Sequence, residues 1–317
     1  SKKRPRIPSR PNKHIHFFSY KAGGRIGNSM RSLFGYICAR DYSRYGGSPS
    51  TEIQSMELQL LQPNLIKPFE KQIKAAVGKC FGDLAESDFT VQDFKHYMLA
   101  GAVASSQIEG STLDLNSFFV SKANNKNTKE VKEIEDLLKA YQYAKRYRIS
   151  QKGLLKCHEQ LAGTFSHITK NQKGKYRKTQ VGIRSWQGLV YVAVEPDYVP
   201  TAMSSLFADI ETLSDRNLSL KQTLYYAAYI HFIFAKIHPF ADGNGRAARL
   251  LEKWFLAEYL GPAVWGIPTE KYYYDNRQAY YAGLNVGMDY YDTLKQLDKI
   301  LPFLTMLPKA VCYKPVD

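Results

Sequence analysis

Cysteine is scarce in this chain. Cys38, Cys80, Cys157 and Cys312 are the four it has, scattered and without a Cys-x-x-Cys pair. Such spacing argues against a disulfide-framed small domain and predicts reduced thiols in a cytoplasmic protein. Long apolar runs are also missing, so no segment reads as a transmembrane helix and no membrane partner is expected. The basic start has no apolar core of the kind a signal peptide needs. Extended apolar–polar alternation is sparse, which argues against a large sheet. Acidic residues are outnumbered, 29 against 44 Lys and Arg, for a formal net charge of +15.

That charge is unevenly placed. Lys2, Lys3, Arg4, Arg6, Arg10, Lys13, Lys21, Arg25, Arg31, Arg40 and Arg44 face a single acid, Asp41, before residue 51. Clustered Gly, Ser and Pro and weak periodicity predict that residues 1–55 form a disordered or loosely attached extension. Nucleic acid is expected as a partner only through this basic tail. Gly24-Arg25-Ile26-Gly27 lacks the strand–helix context of a phosphate loop. The globular part is expected to start near Met56, and deleting residues 1–55 should leave melting and activity unchanged. Residues 56–128 then form an N-terminal helical region and residues 129–317 a catalytic core.

Helical patterns dominate the remainder. Residues 130–141 carry helical periodicity with i,i+4 charge pairs. Residues 150–165, 199–213 and 276–288 show further apolar stripes. Leu220 to Ile237 is apolar nearly all round, which predicts a buried helix. Arg246 to Leu260 follows as another, with Leu250, Leu251, Trp254, Phe255 and Tyr259 on its apolar face. The fold class is therefore mostly α with one β-hairpin. The hairpin is expected where residues 174–183 and 189–194 flank the turn-like Ser185-Trp186-Gln187-Gly188.

The densest chemistry lies in His238-Pro239-Phe240-Ala241-Asp242-Gly243-Asn244-Gly245-Arg246-Ala247-Ala248-Arg249-Leu250. Pro239 should stop the helix near Ile237 and leave His238 in an extended turn. The negative end of that helix should help keep the histidine pKa near working pH, where a general base is most useful. Phe240 reads as an apolar anchor. Gly243-Asn244-Gly245 can alternate backbone hands and turn N–H groups inward as an anion nest. The next helix would aim its N-terminus at the same nest. Arg246 and Arg249 share a helical face, and each guanidinium can fork onto phosphate oxygens. Asp242 supplies one carboxylate, enough for a magnesium ion already bound to phosphates. Singly these residues have ordinary structural readings. Their joint spacing points to a site that holds a nucleoside triphosphate and moves part of it onto a hydroxyl.

The string resembles the signature of the Fic family, His-Pro-Phe-x-(Asp/Glu)-Gly-Asn-Gly-Arg-x-x-Arg, at every fixed position. The resemblance implies a Fic-like helical core with a hairpin flap, and AMP transfer from ATP to a Tyr, Ser or Thr hydroxyl of a target protein. It implies that His238 is the catalytic base and that Asp242 holds Mg2+. Gly243, Asn244 and Gly245 would cradle the phosphates, with Arg246 on the α/β-phosphates and Arg249 on the γ-phosphate. Val181, Gly182 and Ile183 would belong to a flap that aligns the target by strand-like pairing.

Ser105-Ser106-Gln107-Ile108-Glu109-Gly110 resembles the family's inhibitory motif, (Ser/Thr)-x-x-x-Glu-(Gly/Asn). Ser105 and Glu109 share a helical face and Gly110 suits a C-cap. By that resemblance Glu109 would pair with Arg249 and block the γ-phosphate site. Tyr280 and Tyr281 resemble residues that line an adenosine pocket, against a core-packing alternative. Met288 falls near the place where some relatives carry an Asn against the adenine, which leaves nucleotide preference open. Three readings remain: an autoinhibited protein adenylyltransferase, an enzyme that removes AMP with the same residues, and a non-enzymatic binder using the basic tail. The target protein and the choice between monomer and homodimer are not legible.

Overall fold

A computed structural model describes residues 58–185 and 188–315. The expectations for residues 1–55, for Met56, for Cys38 and for the turn residues Trp186 and Gln187 lie outside the described residues. Fourteen α-helices are described, in the order α1 Ile66–Gln72, α2 Ala76–Ala85, α3 Val91–Ile108, α4 Leu115–Ala123, α5 Lys129–Arg146, α6 Gln151–Leu161, α7 Val199–Ser214, α8 Leu220–Ile237, α9 Asn244–Leu260, α10 Thr269–Asp275, α11 Arg277–Leu284, α12 Tyr290–Lys295, α13 Leu301–Leu304 and α14 Met306–Val311. Strands β1 (Gly182–Ser185) and β2 (Gly188–Val192) come between α6 and α7. The expected mostly helical fold with one hairpin is what forms.

Local chemistry sets the longer helices. Thr90 and Asp93 form a capping box at the start of α3, and Ser219 and Gln222 form one at the start of α8. Thr128 and Ser150 cap α5 and α6 through side-chain oxygens. Each such oxygen satisfies a backbone N–H that the first helical turn leaves without a partner. Helix α8 is buried on all sides, as its composition requires. It runs through the middle of the molecule, with α9 along one side and α7, α13 and α1 around it.

One hydrophobic core runs from Leu58 to Val311 and includes α3, α5, α8 and α9. The carboxylate of Asp209 in α7 accepts the backbone N–H groups of Gln59, Leu60 and Leu61 at 2.7, 2.7 and 2.8 Å. That places Leu58 and Leu61 in the core. A buried ion pair, Lys253 Nζ to Glu270 Oε2 at 2.6 Å, joins α9 to α10. Tyr141 of α5 donates to the other Glu270 oxygen at 2.8 Å.

Three expectations need correction. Cys80 and Cys312 are disulfide-bonded, while Cys157 is free and buried. Their distance in sequence, 232 residues, hid the pairing, because α14 folds back onto α2. A structural disulfide persists in oxidising compartments, so the cytosolic expectation drawn from scattered thiols loses its basis. The hairpin is shorter than its β-prone runs. Residues 174–181 stay outside β1, because the backbone N–H of Arg177 bonds to Pro239 instead of a strand partner. The helix expected over 276–288 ends at Leu284, and Gly287 has a φ of +75°. Among the described residues no helix is long and apolar enough to cross a membrane.

Candidate active site

The loop between α8 and α9 is built by its own side chains. His238 caps α8 with φ 52° and ψ 59°, its N–H bonded to Phe234 O. It is left-handed, not extended as expected. The residue before a proline avoids the helical region, and here it closes the helix in the way a C-terminal glycine usually does. Phe240 is fully buried and stacks on the His158 ring at 3.6 Å. The Asn244 side chain folds back onto the loop. It accepts from Phe240 N at 2.8 Å and donates to Phe240 O at 2.9 Å, locking the turn. Gly243 is left-handed at φ +80°, and its N–H bonds to Asp242 Oδ1 at 2.6 Å.

His158 of α6 holds the loop from outside. It accepts from Gly174 N at Nδ1, so Nε2 carries the proton and donates to Asp242 O at 2.9 Å. Arg177 is the second support. Its Nε donates to His238 O at 2.8 Å and its Nη2 to Ile237 O at 3.3 Å and Val194 O at 2.5 Å. Nη1 donates to Thr179 O at 3.0 Å. One buried guanidinium therefore joins the end of α8 to both arms leading into the hairpin. Tyr191 of β2 adds a bond to Lys236 O at 2.7 Å. Val181 is buried and its carbonyl accepts from Ala193 N, while Gly182 and Ile183 pair with Val192 and Tyr191. The hairpin thus stands beside His238.

The electrostatics of His238 differ from the expectation. Its pKa is pushed down to about 4, first by burial and then by the neighbouring Arg177 charge. Those two effects outweigh the helix-end dipole. Nδ1 lies 3.3 Å from Ala235 O, and a proton there leaves Nε2 as the basic nitrogen. Asp242 is held below the usual carboxylate range: burial opposes this, but Arg246 and the Gly243 N–H prevail. Its second oxygen meets His167 Nε2 at 2.5 Å.

The arginines are both engaged. Arg246 lies over the Phe165 ring at 4.1 Å and reaches Glu133 of α5 at 3.3 Å. Arg249 is 1% exposed. Its Nε donates to Ser105 Oγ at 2.8 Å, its Nη2 to Ser105 O at 3.1 Å and to Glu109 Oε1 at 2.7 Å. Burial would lower the Arg249 pKa, but Tyr280 and Glu109 hold it above its ordinary value. Glu109 is the C-cap of α3. Gly110 N bonds to Gln107 O and Ser111 N to Ser106 O, a Schellman closure with Gly110 left-handed at φ +102°. Gly and Asn are the residues that reach such angles most readily, a backbone reason for the alternatives at this position. A Cβ on Gly245 would collide with a Glu109 carboxylate oxygen. The carboxylate therefore rests on the first turn of α9, where free N–H groups and the helix dipole favour an anion.

Tyr280 is buried and turned inward, its hydroxyl 3.2 Å from Arg249 Nη1. Tyr281 donates to Ile108 O at 3.1 Å, beside Glu109. No local sequence pattern marks Arg177, His158, His167 or Glu133 as site residues. Arg177 and His158 act through backbone groups of distant segments, which leaves no local signature.

Residues 148–256 match the Fic/DOC family. That Fic/DOC segment holds the whole loop, both supports and both arginines, while Glu109 lies before it. The protein adenylyltransferase fic-1 of Caenorhabditis briggsae is 30% identical over 141 residues, which is 44% of this chain and 24% of the relative. The protein adenylyltransferase Fic of Culex quinquefasciatus is 33% identical over 156 residues, 45% of this chain and 29% of the relative. The chain matches only about a quarter of the length of these curated relatives. A Fic family protein from Desulfovibrio desulfuricans superposes with a TM-score of 0.62 at 24% identity, covering 84% of this chain and 74% of that one. Fic-1 (residues 134–508) from Caenorhabditis elegans gives 0.58 at 20% identity, covering 78% and 71%. The fold is that of the Fic proteins.

The depressed His238 pKa has a measurable consequence. If His238 serves as the general base, the acid limb of kcat/KM in a Glu109→Gly chain, which reports the free enzyme, is expected no higher than about pH 4 and not near the ordinary histidine value of 6.5, because the removed Glu109 charge had held the His238 pKa up. A limb near 6.5 in the pH–rate profile would contradict it. Stability has the same sign at His158, whose folded pKa burial lowers to about 4. The unfolded chain then binds the extra proton first, so stability is full above 6.5 and is lost as pH falls towards 4. The loss is about 3 kcal/mol, read as a shift in urea midpoint.

Proposed function

We propose that this chain is an autoinhibited protein adenylyltransferase, transferring AMP from ATP to a Tyr, Ser or Thr hydroxyl of a target protein. The observation that carries this reading is the position of Glu109. Its carboxylate pairs with Arg249 and sits against Gly245, where the resemblance to the Fic signature would put the terminal phosphates. An anion held on an anion site by the chain itself is the arrangement of a brake. The names of the curated relatives support the same activity.

In the reaction proposed, His238 Nε2 takes the proton of the target hydroxyl. The hydroxyl oxygen attacks the α-phosphorus, the bond between that phosphorus and the bridging oxygen to the β-phosphate breaks, and pyrophosphate leaves. Histidine that is neutral at pH 7 is in the correct form to accept that proton. The first turn of α9 and Arg246 would take phosphate oxygens. Arg246 Nε is buried without a hydrogen-bond partner among the described residues, a donor that a phosphate oxygen would satisfy.

Among the described residues no group of three or more His, Cys, Asp or Glu could hold a metal ion. A magnesium ion carried in by ATP needs fewer protein ligands. The ionised, partly exposed Asp242 fits that role. When bound, the ion would neutralise phosphate charge. The open edge of β1 would align the target by main-chain pairing.

The test is self-labelling with ATP labelled on the α-phosphate, using wild type, Glu109→Gly and Glu109→Gly/His238→Ala. Strong label on Glu109→Gly alone is expected. No label on any of the three, with folding and ATP binding intact, would overturn AMP transfer and favour AMP removal, checked with an AMP-modified protein and Glu109 retained.

A further inference from the structure

Behind Arg249 lies a buried polar chain with no part in the chemistry described so far. Tyr280 Oη is 3.2 Å from Arg249 Nη1 and 3.0 Å from His231 Nε2. His231 Nδ1 is 2.9 Å from Glu252 Oε2. Tyr273 donates to both Glu252 oxygens, at 3.0 and 2.9 Å. His231, Glu252, Tyr273 and Tyr280 are all at most 1% exposed. Ordinary core packing does not call for five polar side chains in one unbroken row.

With Glu252 ionised and His231 carrying one proton, donor counting gives every bond a direction. Arg249 has only donors, so Tyr280 Oη accepts from it. The Tyr280 hydrogen must then go to His231 Nε2. His231 in turn carries its proton on Nδ1 and donates it to Glu252. Glu252 ends the row as the acceptor of both His231 and Tyr273. The row therefore runs one way, from guanidinium to carboxylate, and each bond polarises the next.

The other acceptors on Arg249 share one source. Ser105 Oγ, Ser105 O and Glu109 Oε1 all belong to α3 or its cap. Tyr280 belongs to α11, His231 to α8 and Glu252 to α9 itself. The row from Tyr280 to Glu252 thus contains no residue of α3 or its cap.

We propose that Tyr280, His231 and Glu252 are positioning residues that keep Arg249 aimed at the terminal phosphate of the nucleotide once Glu109 has left. The inference rests on the function proposed above, in which Arg249 binds the γ-phosphate. It gives Tyr280 a role different from lining a nucleoside pocket: the row serves the phosphate end, and ATP and ADP should respond differently to its loss.

The experiment uses the full chain carrying Glu109→Gly as parent, and calorimetric binding of ATP and of ADP with magnesium. Tyr280→Phe keeps the ring and removes only the hydroxyl. Its ATP affinity should fall about tenfold, as for one lost bond to a charged group, with ADP affinity unchanged within about twofold. His231→Leu should reproduce that selective loss. His231→Gln, which keeps a donor and an acceptor, should restore ATP binding to within about threefold of the parent. Equal weakening of ATP and ADP by Tyr280→Phe would mark a merely structural role and overturn the inference. So would unchanged ATP binding in a parent that prefers ATP to ADP. A parent that binds neither nucleotide would instead overturn the proposed function, and the inference with it.

Discussion

Replacing Arg177 by methionine in a Glu109→Gly chain is expected to slow AMP transfer about a hundredfold and to lower unfolding free energy by about 3–5 kcal/mol. The guanidinium donates to the carbonyls of His238, Ile237, Val194 and Thr179. Methionine fills much of the volume but returns none of those bonds. Buried carbonyls left without donors are the source of the stability loss. The rate loss has a separate origin. Ile237 and His238 end α8, whereas Val194 and Thr179 flank the hairpin, so the proposed base and the proposed target-aligning edge would lose their common fixed point. Burial draws the Arg177 pKa down to about 10, and the group remains charged at neutral pH. Arg177→Lys keeps that charge but not the planar fork. It should regain part of the stability and little of the rate. Labelling rates and urea midpoints measured on the same samples check both halves; an unchanged rate in Arg177→Met would refute the positioning argument.

Cys80→Ser is expected to lower unfolding free energy by about 3–5 kcal/mol, by releasing a very long closed loop in the unfolded chain. The bond joins α2 to the residue after α14, so nearly every described element lies inside the loop. A reductant should lower the Tm of wild type to that of the variant and leave the variant unmoved. Equal melting of wild type with and without reductant would show that the bond does not form in solution. Mass spectrometry of intact and reduced chains gives the same answer independently.

Much of the site was legible because its chemistry is contiguous. From His238 to Arg249 each residue type has one dominant backbone or charge property, and a run of such properties can be read without coordinates. The residues around Glu109 mark a helix end, but its pairing with Arg249 was expected only from the resemblance to the family's inhibitory motif. The limits of α8 were set by Ser219 and Pro239 and came out as expected. The left-handed His238 was misread because the rule for residues before proline excludes one region and does not choose between the others. Its pKa was misread because burial and Arg177 come from packing, whereas the helix dipole is visible in the pattern. Arg177 looked like one more residue of a β-prone run. His158 looked like part of an apolar stripe, which it also is. Cys80 and Cys312 could be paired only by a fold that returns the C-terminus to α2.

Gly110 has a consequence beyond its φ angle. The turn that presents Glu109 is closed by two backbone bonds, from Gly110 and Ser111 to the last turn of α3, and is tethered beyond by Glu130 to Thr112 N at 2.7 Å. Opening a terminal turn requires far less free energy than opening the core beneath it. If Glu109 acts as proposed, withdrawal of its carboxylate would need only this turn to open. On the proposed reading, occupancy of the nucleotide site would be governed by fraying of a single helical end, and a ligand that favours the frayed form would set it.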